Sequence, residues 1–388
     1  MDETSEALGR AKTIFDLPTP FLILDRPKLE ENARRMLKRT QELQVTLRPH
    51  VKTSKSIDVL KVLSGDKKVP VTVSTIAEAN YFFAGGVRDI LYAVGIAPVK
   101  LPQVADLVKA GCRMRVILDS LDAAEAVQAF GSTEGLTIEA LIEIDTDGHR
   151  AGIAPNDDLL IEVANRLGSG PGARLAGVMT HAGGSYSART LGEFEGIAER
   201  EREGAVIAGD RLRSAGFPIE VVSVGSTPTV HYARTLDGVT EARVGVYAFG
   251  DLVQAELGTC TMGDIAISVF ASVIGQSKSH GRVFTDAGFL ALSRDRGTGD
   301  LPIDWGYGAI CDAKSGKLIE GVRVDSTNQE HGIITARTGE LDWSRFPIGG
   351  RVRILPNHAC ATAAAYDRYF VTNGDELITD VWERVNGW

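Results

Sequence analysis

Three short stretches of this chain carry residue types that can do chemistry together. The first is RPHVKTSKS, where Lys52 follows His50 by two residues and ends an apolar run. Most lysines are surface cations. A lysine held among apolar residues with other cations nearby loses its proton more readily and becomes a nucleophile able to form a Schiff base. The second is SVGSTPT, in which Gly225, Ser226 and Thr227 offer backbone N–H groups and hydroxyls to a phosphate. The same residues also suit a tight turn that caps a helix. The third is PNHACAT. In an extended segment residues i and i+2 share a face, so His358 and Cys360 can grip one metal ion. A packed cysteine beside a satisfied histidine is the commoner arrangement. Two protein ligands are too few for a structural zinc site and suit an open one completed by water and substrate. A phosphate site and a buried lysine in one cleft together suit pyridoxal phosphate.

Those residues need elements to place them. Eight strand-like runs, at 45–51, 71–75, 89–94, 114–120, 140–145, 175–181, 221–225 and 242–249, alternate with amphipathic stretches such as 54–64, 76–84, 121–130, 157–167 and 191–214. Near-continuous apolar runs read as parallel strands buried on both faces. Eight βα units in succession favour a closed (β/α)8 barrel over an open doubly wound sheet. No glycine-rich dinucleotide fingerprint follows the first run. In a barrel the active residues stand past the carboxyl ends of the strands. His50 and Lys52 follow the first run, and Arg150, in EIDTDGHRAG, the fifth. His181, in VMTHAGGSY, closes the sixth, the Gly225 turn follows the seventh, and Gly245 lies in the eighth. Barrels often bind phosphate after strands seven and eight. Beyond about residue 258 the long helical periodicity ends, and strands at 264–274, 282–286 and 351–355 alternate with Gly-, Pro- and Asp-rich turns. The expected division is a barrel over 20–258 and a mostly β domain made of 1–19 and 259–388. The strand-like 20–25 precedes the barrel strands and can cross over to pair in the second domain. The first dozen residues are expected to be a mobile tail.

Composition sets the outer bounds. The 388 residues carry 42 Lys and Arg against 51 Asp and Glu, a net charge of −9. Such a field repels phosphate, so neither nucleic acid nor an anionic membrane is an expected partner. A local arginine cluster can still receive an anionic substrate. Apolar runs such as 265–274 fall well short of the roughly 20 residues of a membrane span. The opening MDETSEALGRAKTIF lacks the apolar core of a signal peptide. Cys112, Cys260, Cys311 and Cys360 form no CxxC pair, which points to reduced thiols in a cytoplasmic protein. His149, His231, His280 and His331 have no partner visible in the sequence and are expected to be surface or structural residues.

Taken in order, RPHVKTSKS, EIDTDGHRAG, THAGGSY, SVGSTPT, SRDRGT, NQEHG and PNHACAT give the chain a resemblance, from about Thr19 to its end. It resembles the metal-dependent branch of the alanine-racemase-like pyridoxal phosphate enzymes, which holds dehydratases and aldolases of hydroxy-D-amino acids. The resemblance implies a (β/α)8 TIM-type barrel plus a mostly β second domain. It also implies a homodimer, each active site lying between one barrel and the other subunit's β domain. By the same resemblance Lys52, not Lys55, holds the cofactor, and Arg150 approaches the O3′ of its ring. Gly225, Ser226 and Gly245 cradle its phosphate with Tyr186 beside them, and Thr227 and Tyr247 complete the cofactor-binding set. Arg243 falls where racemases place the arginine facing the pyridine nitrogen, a position at which the metal-dependent relatives vary. His358 and Cys360 match the ligands of a divalent metal, for which zinc, manganese and magnesium are all suitable. The His-Cys pair is typical of the dehydratases, and His-Asp of the aldolases.

The implied reaction is β-elimination from a 3-hydroxy-D-amino acid, with Lys52 removing the Cα proton, the cofactor as electron sink and the metal as Lewis acid on the β-oxygen. Hydrolysis of the released enamine gives a 2-oxo acid and ammonia: oxaloacetate from 3-hydroxyaspartate, pyruvate from serine. Retro-aldol cleavage is the rival, with His181 or a metal-bound hydroxide as base. A non-catalytic pyridoxal phosphate carrier is the rival of another class, disfavoured by the extra β domain and the His-Cys pair. Racemisation lacks a match to the racemases' second, tyrosine base. A substrate with a second carboxylate needs a cationic partner, which Arg294 or Arg296 in SRDRGT can supply through paired hydrogen bonds. Alternatively these arginines pair with Asp295 or Asp300 and shape the loop.

Overall fold

The computed structural model describes residues 12–388, so all of the expected tail but Lys12 lies outside the described residues. The chain divides into two compact units, one of residues 34–57, 64–245 and 385–388, the other of the described part of 1–33 with 58–63 and 246–384. Strand β1 (Phe21–Asp25) belongs to the second.

In the first unit, β2 (Thr46–Pro49), β3 (Val71–Val73), β4 (Asp89–Gly95), β5 (Arg113–Leu118), β6 (Ile138–Ile144), β7 (Ala173–Thr180), β8 (Val221–Val224) and β9 (Glu241–Val244) form one sheet. Its order is β2-β9-β8-β7-β6-β5-β4-β3, and each neighbouring pair is parallel. Strands β2 and β3, at its two edges, meet at a parallel bridge between His50 and Thr72, which brings the sheet close to closure. This is the expected TIM-type barrel. Its strands carry apolar residues on both faces because helices cover the outside while side chains fill the inside. The covering helices start where the sequence places caps. Thr75 accepts from Glu78 N ahead of helix Ile76–Ala84, and Thr190 and Glu193 form a reciprocal capping box ahead of Leu191–Ser214. The helix expected over 54–64 begins only at Ile57, because Lys55 takes a left-handed φ of 48° in the turn after β2.

The amino ends of the strands are laced by charge. Arg48 donates to Glu241 and Asp89, each at 2.8 Å. Arg115 reaches Asp89 at 2.7 Å and Glu139 at 2.9 Å. Arg174 then joins Glu139 to Glu220, which also accepts from Arg113 at 2.9 Å. Burial pushes the Glu139 carboxyl up, but Arg174, Arg115 and Arg113 outweigh it and hold the group below its usual range.

In the second unit, β10 (Ile267–Ser277), β11 (Arg282–Thr285), β12 (Ala309–Asp312), β13 (Leu318–Thr327), β14 (Gly332–Ala336), β15 (Arg351–Leu355), β16 (Arg368–Thr372) and β17 (Ile378–Glu383) join β1. The order is β11-β14-β13-β12-β15-β10-β1-β16-β17, and an added β11–β10 pairing closes the first six into a ring. Strand β1 runs antiparallel to β10 and parallel to β16, so the 20–25 run does cross over. Phe21 packs between Phe270 and Phe370, with ring centroids 5.3 and 5.0 Å away, and Ile14, Leu17, Ile23 and Ala313 complete this cluster. Each Phe, Leu and Ile side chain among these contributes roughly 1.5–3 kcal/mol when buried. The unit takes in the chain from Val246, ahead of the change in texture near 258. The reason is a backbone tie, since Leu252 N donates to Pro356 O at 3.0 Å.

Candidate active site

In the barrel unit the strand ends deliver the expected residues. Lys52 follows β2 and is exposed rather than buried among apolar neighbours, which corrects the first expectation. Nearby, half-buried His50 is driven well below its ordinary pKa of 6.5, first by loss of solvent and then by Lys52, Arg243 and His181. Among the described residues Lys52 has no ion pair, whereas the Nζ of Lys55 lies 3.2 Å from Oε1 of buried Glu78. The two lysines are therefore separated by environment, one open and one committed.

His181 directly follows β7, with its Nδ1 3.0 Å from Gly225 O. A carbonyl only accepts, so Nδ1 carries the hydrogen and Nε2 the lone pair. Burial lowers the imidazole to about 4; the Gly225 bond opposes this, and Lys52, Arg150 and Arg243 add to it. The ring is neutral at pH 7. Gly225 has φ 132°, and a Cβ there would lie 2.6 Å from Arg243 O. A Cβ on Gly245 would lie 2.7 Å from His50 O. Both positions need glycine because backbone passes where a side chain would stand. Ser226 caps helix Thr227–Tyr232 and accepts from Thr229 N at 3.3 Å, so the helix-cap reading of SVGSTPT is realised. Thr227 Oγ1 is buried there with no partner among the described residues.

Arg243 is buried and donates to Ser223 Oγ at 2.6 Å and to Thr180 O. Ser223 in turn donates to Glu241 at 2.7 Å. Arg150 stands on an exposed loop, 4.0 Å from Glu143 Oε1. Tyr186 lies in the turn Gly183–Ser187 and is 37% exposed. The Tyr247 phenol, in the second unit, is buried without a partner among the described residues, and burial pushes its pKa up. Within the barrel unit, an open amine, two glycine-lined backbone passages and the orphaned buried hydroxyl of Thr227 fit a phosphorylated pyridoxal. Glu201 and Glu143, both buried beside these residues, were not found from the sequence. Their positions inside a helix and a strand carry no signal of which carboxylates turn inward.

In the second unit His358 is the cap residue of the short helix Ala359–Ala363, and Cys360 lies in its first turn. The pair thus meets across a helix start, not along the extended segment expected. Asp295 Oδ2 lies 2.6 Å from His358 Nδ1, leaving Nε2 for a second partner. Burial works to lower His358, but its bonds to Asp295 and Cys360 raise it to about 11. A place that holds a proton this tightly favours positive charge, and an imidazole nitrogen beside a thiol is a fitting donor pair for a divalent metal. Asp295 then plays the part of the carboxylate that orients a ligand imidazole. Among the described residues no group of three or more His, Cys, Asp and Glu side chains is placed to hold a metal ion, so the pair is an open site at most. Asp251 Oδ2 accepts from Ala359 N at 3.0 Å and fixes this turn. Of the two loop arginines, Arg296 pairs with Asp304 and Arg323 shares that carboxylate. Arg294 lies over the Phe289 ring at 4.0 Å and has no ion-pair partner among the described residues.

The barrel, the β unit and these two donor sets define a class of pyridoxal phosphate enzymes. Residues 24–253 match the alanine racemase N-terminal domain, and residues 266–372 match the putative serine dehydratase domain. The chain belongs to the alanine-racemase-like family of pyridoxal phosphate enzymes, among its dehydratases, which are lyases. It is 47% identical to the D-threo-3-hydroxyaspartate dehydratase of Delftia sp. over 97% of this chain and 99% of that one. The solved structure of that enzyme superposes with a TM-score of 0.93 at 47% identity, covering 97% of this chain and all of the other. Variants of the same dehydratase have been solved in which a histidine, or a cysteine two positions further on, is replaced by alanine, the latter in a metal-free form. The D-serine dehydratase of Schizosaccharomyces pombe is 31% identical over 97% of this chain and 94% of its own. A 3-hydroxy-D-aspartate aldolase of Paracoccus denitrificans is more distant, at 27% over 95% and 91%.

Proposed function

We propose that this chain is a pyridoxal phosphate- and divalent-metal-dependent dehydratase of 3-hydroxy-D-amino acids, with D-threo-3-hydroxyaspartate as first candidate substrate and D-serine as second. The observation that carries the reading is the pair His358 and Cys360, hydrogen-bonded to each other, with Asp295 holding the imidazole from its other nitrogen. It has the spacing of the histidine and cysteine replaced in the dehydratase variants. Identity of 47% to a dehydratase against 27% to an aldolase supports elimination over retro-aldol cleavage.

Lys52 would hold the cofactor and would take the Cα proton. Gly225, Ser226, Thr227 and Gly245 would receive the phosphate, with Tyr186 and Tyr247 as further contacts, and Arg150 and Arg243 would face the ring. His181 presents a neutral Nε2 and so adds an acceptor without adding positive charge. His358 and Cys360 would hold the metal, and Arg294 is the loop arginine left to meet a second substrate carboxylate. When bound, pyridoxal phosphate supplies an electron sink for the charge left at Cα, and the metal supplies a Lewis acid for the departing hydroxyl. A homodimer in the cytoplasm is the assembly and compartment we take to go with this reading. Four cysteines outside any disulfide support the compartment, and among the described residues no helix is long and apolar enough to cross a membrane.

Incubation with 3-hydroxyaspartate tests the reaction. Ammonia with oxaloacetate is expected. Glycine with glyoxylate would make the enzyme an aldolase, and no turnover of any D- or L-hydroxy amino acid would leave it a carrier.

A further inference from the structure

Helix Leu191–Ser214 turns Glu201 inward until it is 1% exposed. A single oxygen, Oε1, accepts two backbone N–H groups, that of Ala182 at 2.9 Å and that of Gly225 at 3.1 Å. The first belongs to the residue after His181, past the end of β7; the second belongs to the residue before Ser226, past the end of β8. Gly225 O accepts the Nδ1–H of His181 at 3.0 Å. Carboxylate, Gly225 peptide, imidazole and Ala182 N–H thus close into a ring that joins two neighbouring strand ends. The hydroxyl of Thr229, already shared with the Ser226 cap, bonds to the same carboxylate. Loss of solvent pushes Glu201 up, and the bonds from Thr229, Ala182 and Gly225 pull against it.

Burying a carboxylate costs several kcal/mol, and an apolar side chain of similar size would anchor the helix at lower cost. What an apolar side chain cannot do is receive two N–H groups at one point. We propose that Glu201 is a positioning residue that sets the Gly225–Ser226 turn and the tautomer of His181 together. The proposal rests on the reading of this barrel mouth as the pyridoxal phosphate site. It makes the phosphate turn and the imidazole one mechanical unit, so disturbing the shared oxygen disturbs both.

Three replacements separate shape from charge. Glu201→Gln keeps a carbonyl oxygen at the same reach and removes the charge. Glu201→Asp keeps the charge but is one methylene too short to meet both N–H groups, and Glu201→Leu removes the acceptor. Two readouts are taken on the full chain. One is pyridoxal phosphate affinity by absorbance titration of the dialysed protein. The other is the His181 tautomer in cofactor-free protein, by NMR with 15N-labelled histidine, the His181 signals being assigned by their loss in His181→Gln. The glutamine variant is expected to bind pyridoxal phosphate within about threefold of wild type and to keep the Nδ1–H form. The aspartate and leucine variants, which lose one or both of these hydrogen bonds, are expected to bind pyridoxal phosphate roughly tenfold more weakly, with His181 in mixed tautomers. Wild-type affinity and an unchanged tautomer in all three would overturn the proposal. So would a glutamine variant that falls as far as the leucine one, since charge would then be what matters. If the leucine variant does not fold, the aspartate variant carries the comparison. Should wild-type protein itself not bind pyridoxal phosphate, the cofactor reading fails, and the tautomer of the cofactor-free chain still decides the role of Glu201.

Discussion

Lys52 and Lys55 are close in sequence and opposite in circumstance. Lys55 neutralises a carboxylate that is only 1% exposed, and Lys52 answers to no counter-ion among the described residues. Borohydride reduction of enzyme loaded with pyridoxal phosphate should therefore fix the label on the peptide through Lys52, and Lys52→Ala should abolish the label. Lys55→Ala should keep it while losing up to about 3 kcal/mol of stability, because Glu78 is left buried and unpaired. A label that follows Lys55 would reverse the assignment. His181 makes a second prediction, in pH. Its folded-state pKa, about 4, lies below the ordinary 6.5. As pH falls from 6.5 the unfolded chain binds a proton at this ring and the folded chain does not until near 4, so stability falls across that window, by up to about 3 kcal/mol. His50, also lowered, adds to the loss, whereas Glu143 and Glu201, raised by burial, take up protons earlier in the folded state and soften it. Urea midpoints at pH 4.5 and 7 should differ less in His181→Gln than in wild type. An identical pH dependence would show that the ring is not held neutral.

At the scale of elements, the strands were the most legible part of the chain. Parallel strands covered on both sides must be apolar throughout, so runs such as VVSV and VMT declare themselves without help from distant residues. The long helix over 191–214 was equally plain, since its Thr190 and Glu193 cap is local. The Gly225 turn and the His-Cys pair could be read as candidates because their members are sequence neighbours. What stayed hidden depends on pairs far apart in sequence: Asp295 against His358, Glu201 against Gly225, Glu78 against Lys55. No periodicity tells a buried carboxylate on a helix from a solvated one. The charged lacing at the amino ends of the strands was hidden for the same reason, as each of its arginines reads alone as a surface residue. It should matter to stability. Arg115, 3% exposed at its side chain, serves Asp89 and Glu139 at once, and Arg115→Met should cost roughly 2–3 kcal/mol in urea unfolding through two lost charge-assisted hydrogen bonds, since Asp89 keeps Arg48 and Glu139 keeps Arg174. The same variant should keep wild-type affinity for pyridoxal phosphate, since it lies at the opposite ends of the strands from Lys52 and Gly225.

For the whole molecule, the two donor sets fall in separate compact units, Lys52, Gly225 and Ser226 in one and His358 and Cys360 in the other. Removing the metal should therefore silence elimination without releasing pyridoxal phosphate. Treatment with a chelator, or Cys360→Ala, is expected to abolish ammonia release while the absorbance of bound cofactor persists. Full activity after chelation would discard the metal assignment. A different consequence follows from the placement of β1, which pairs with β10 on one side and β16 on the other. The segment Phe21–Asp25 is made ahead of the barrel, yet its partners, residues 267–270 of β10 and Phe370–Thr372 of β16, are made only after it. At ordinary rates of about 5–20 residues per second that delay is on the order of tens of seconds. Throughout it, an apolar strand must wait unpaired while the whole barrel sequence is made behind it, exposed to whatever chaperone or neighbouring nascent chain first meets it. A strand made ahead of the barrel finds its partners only behind it.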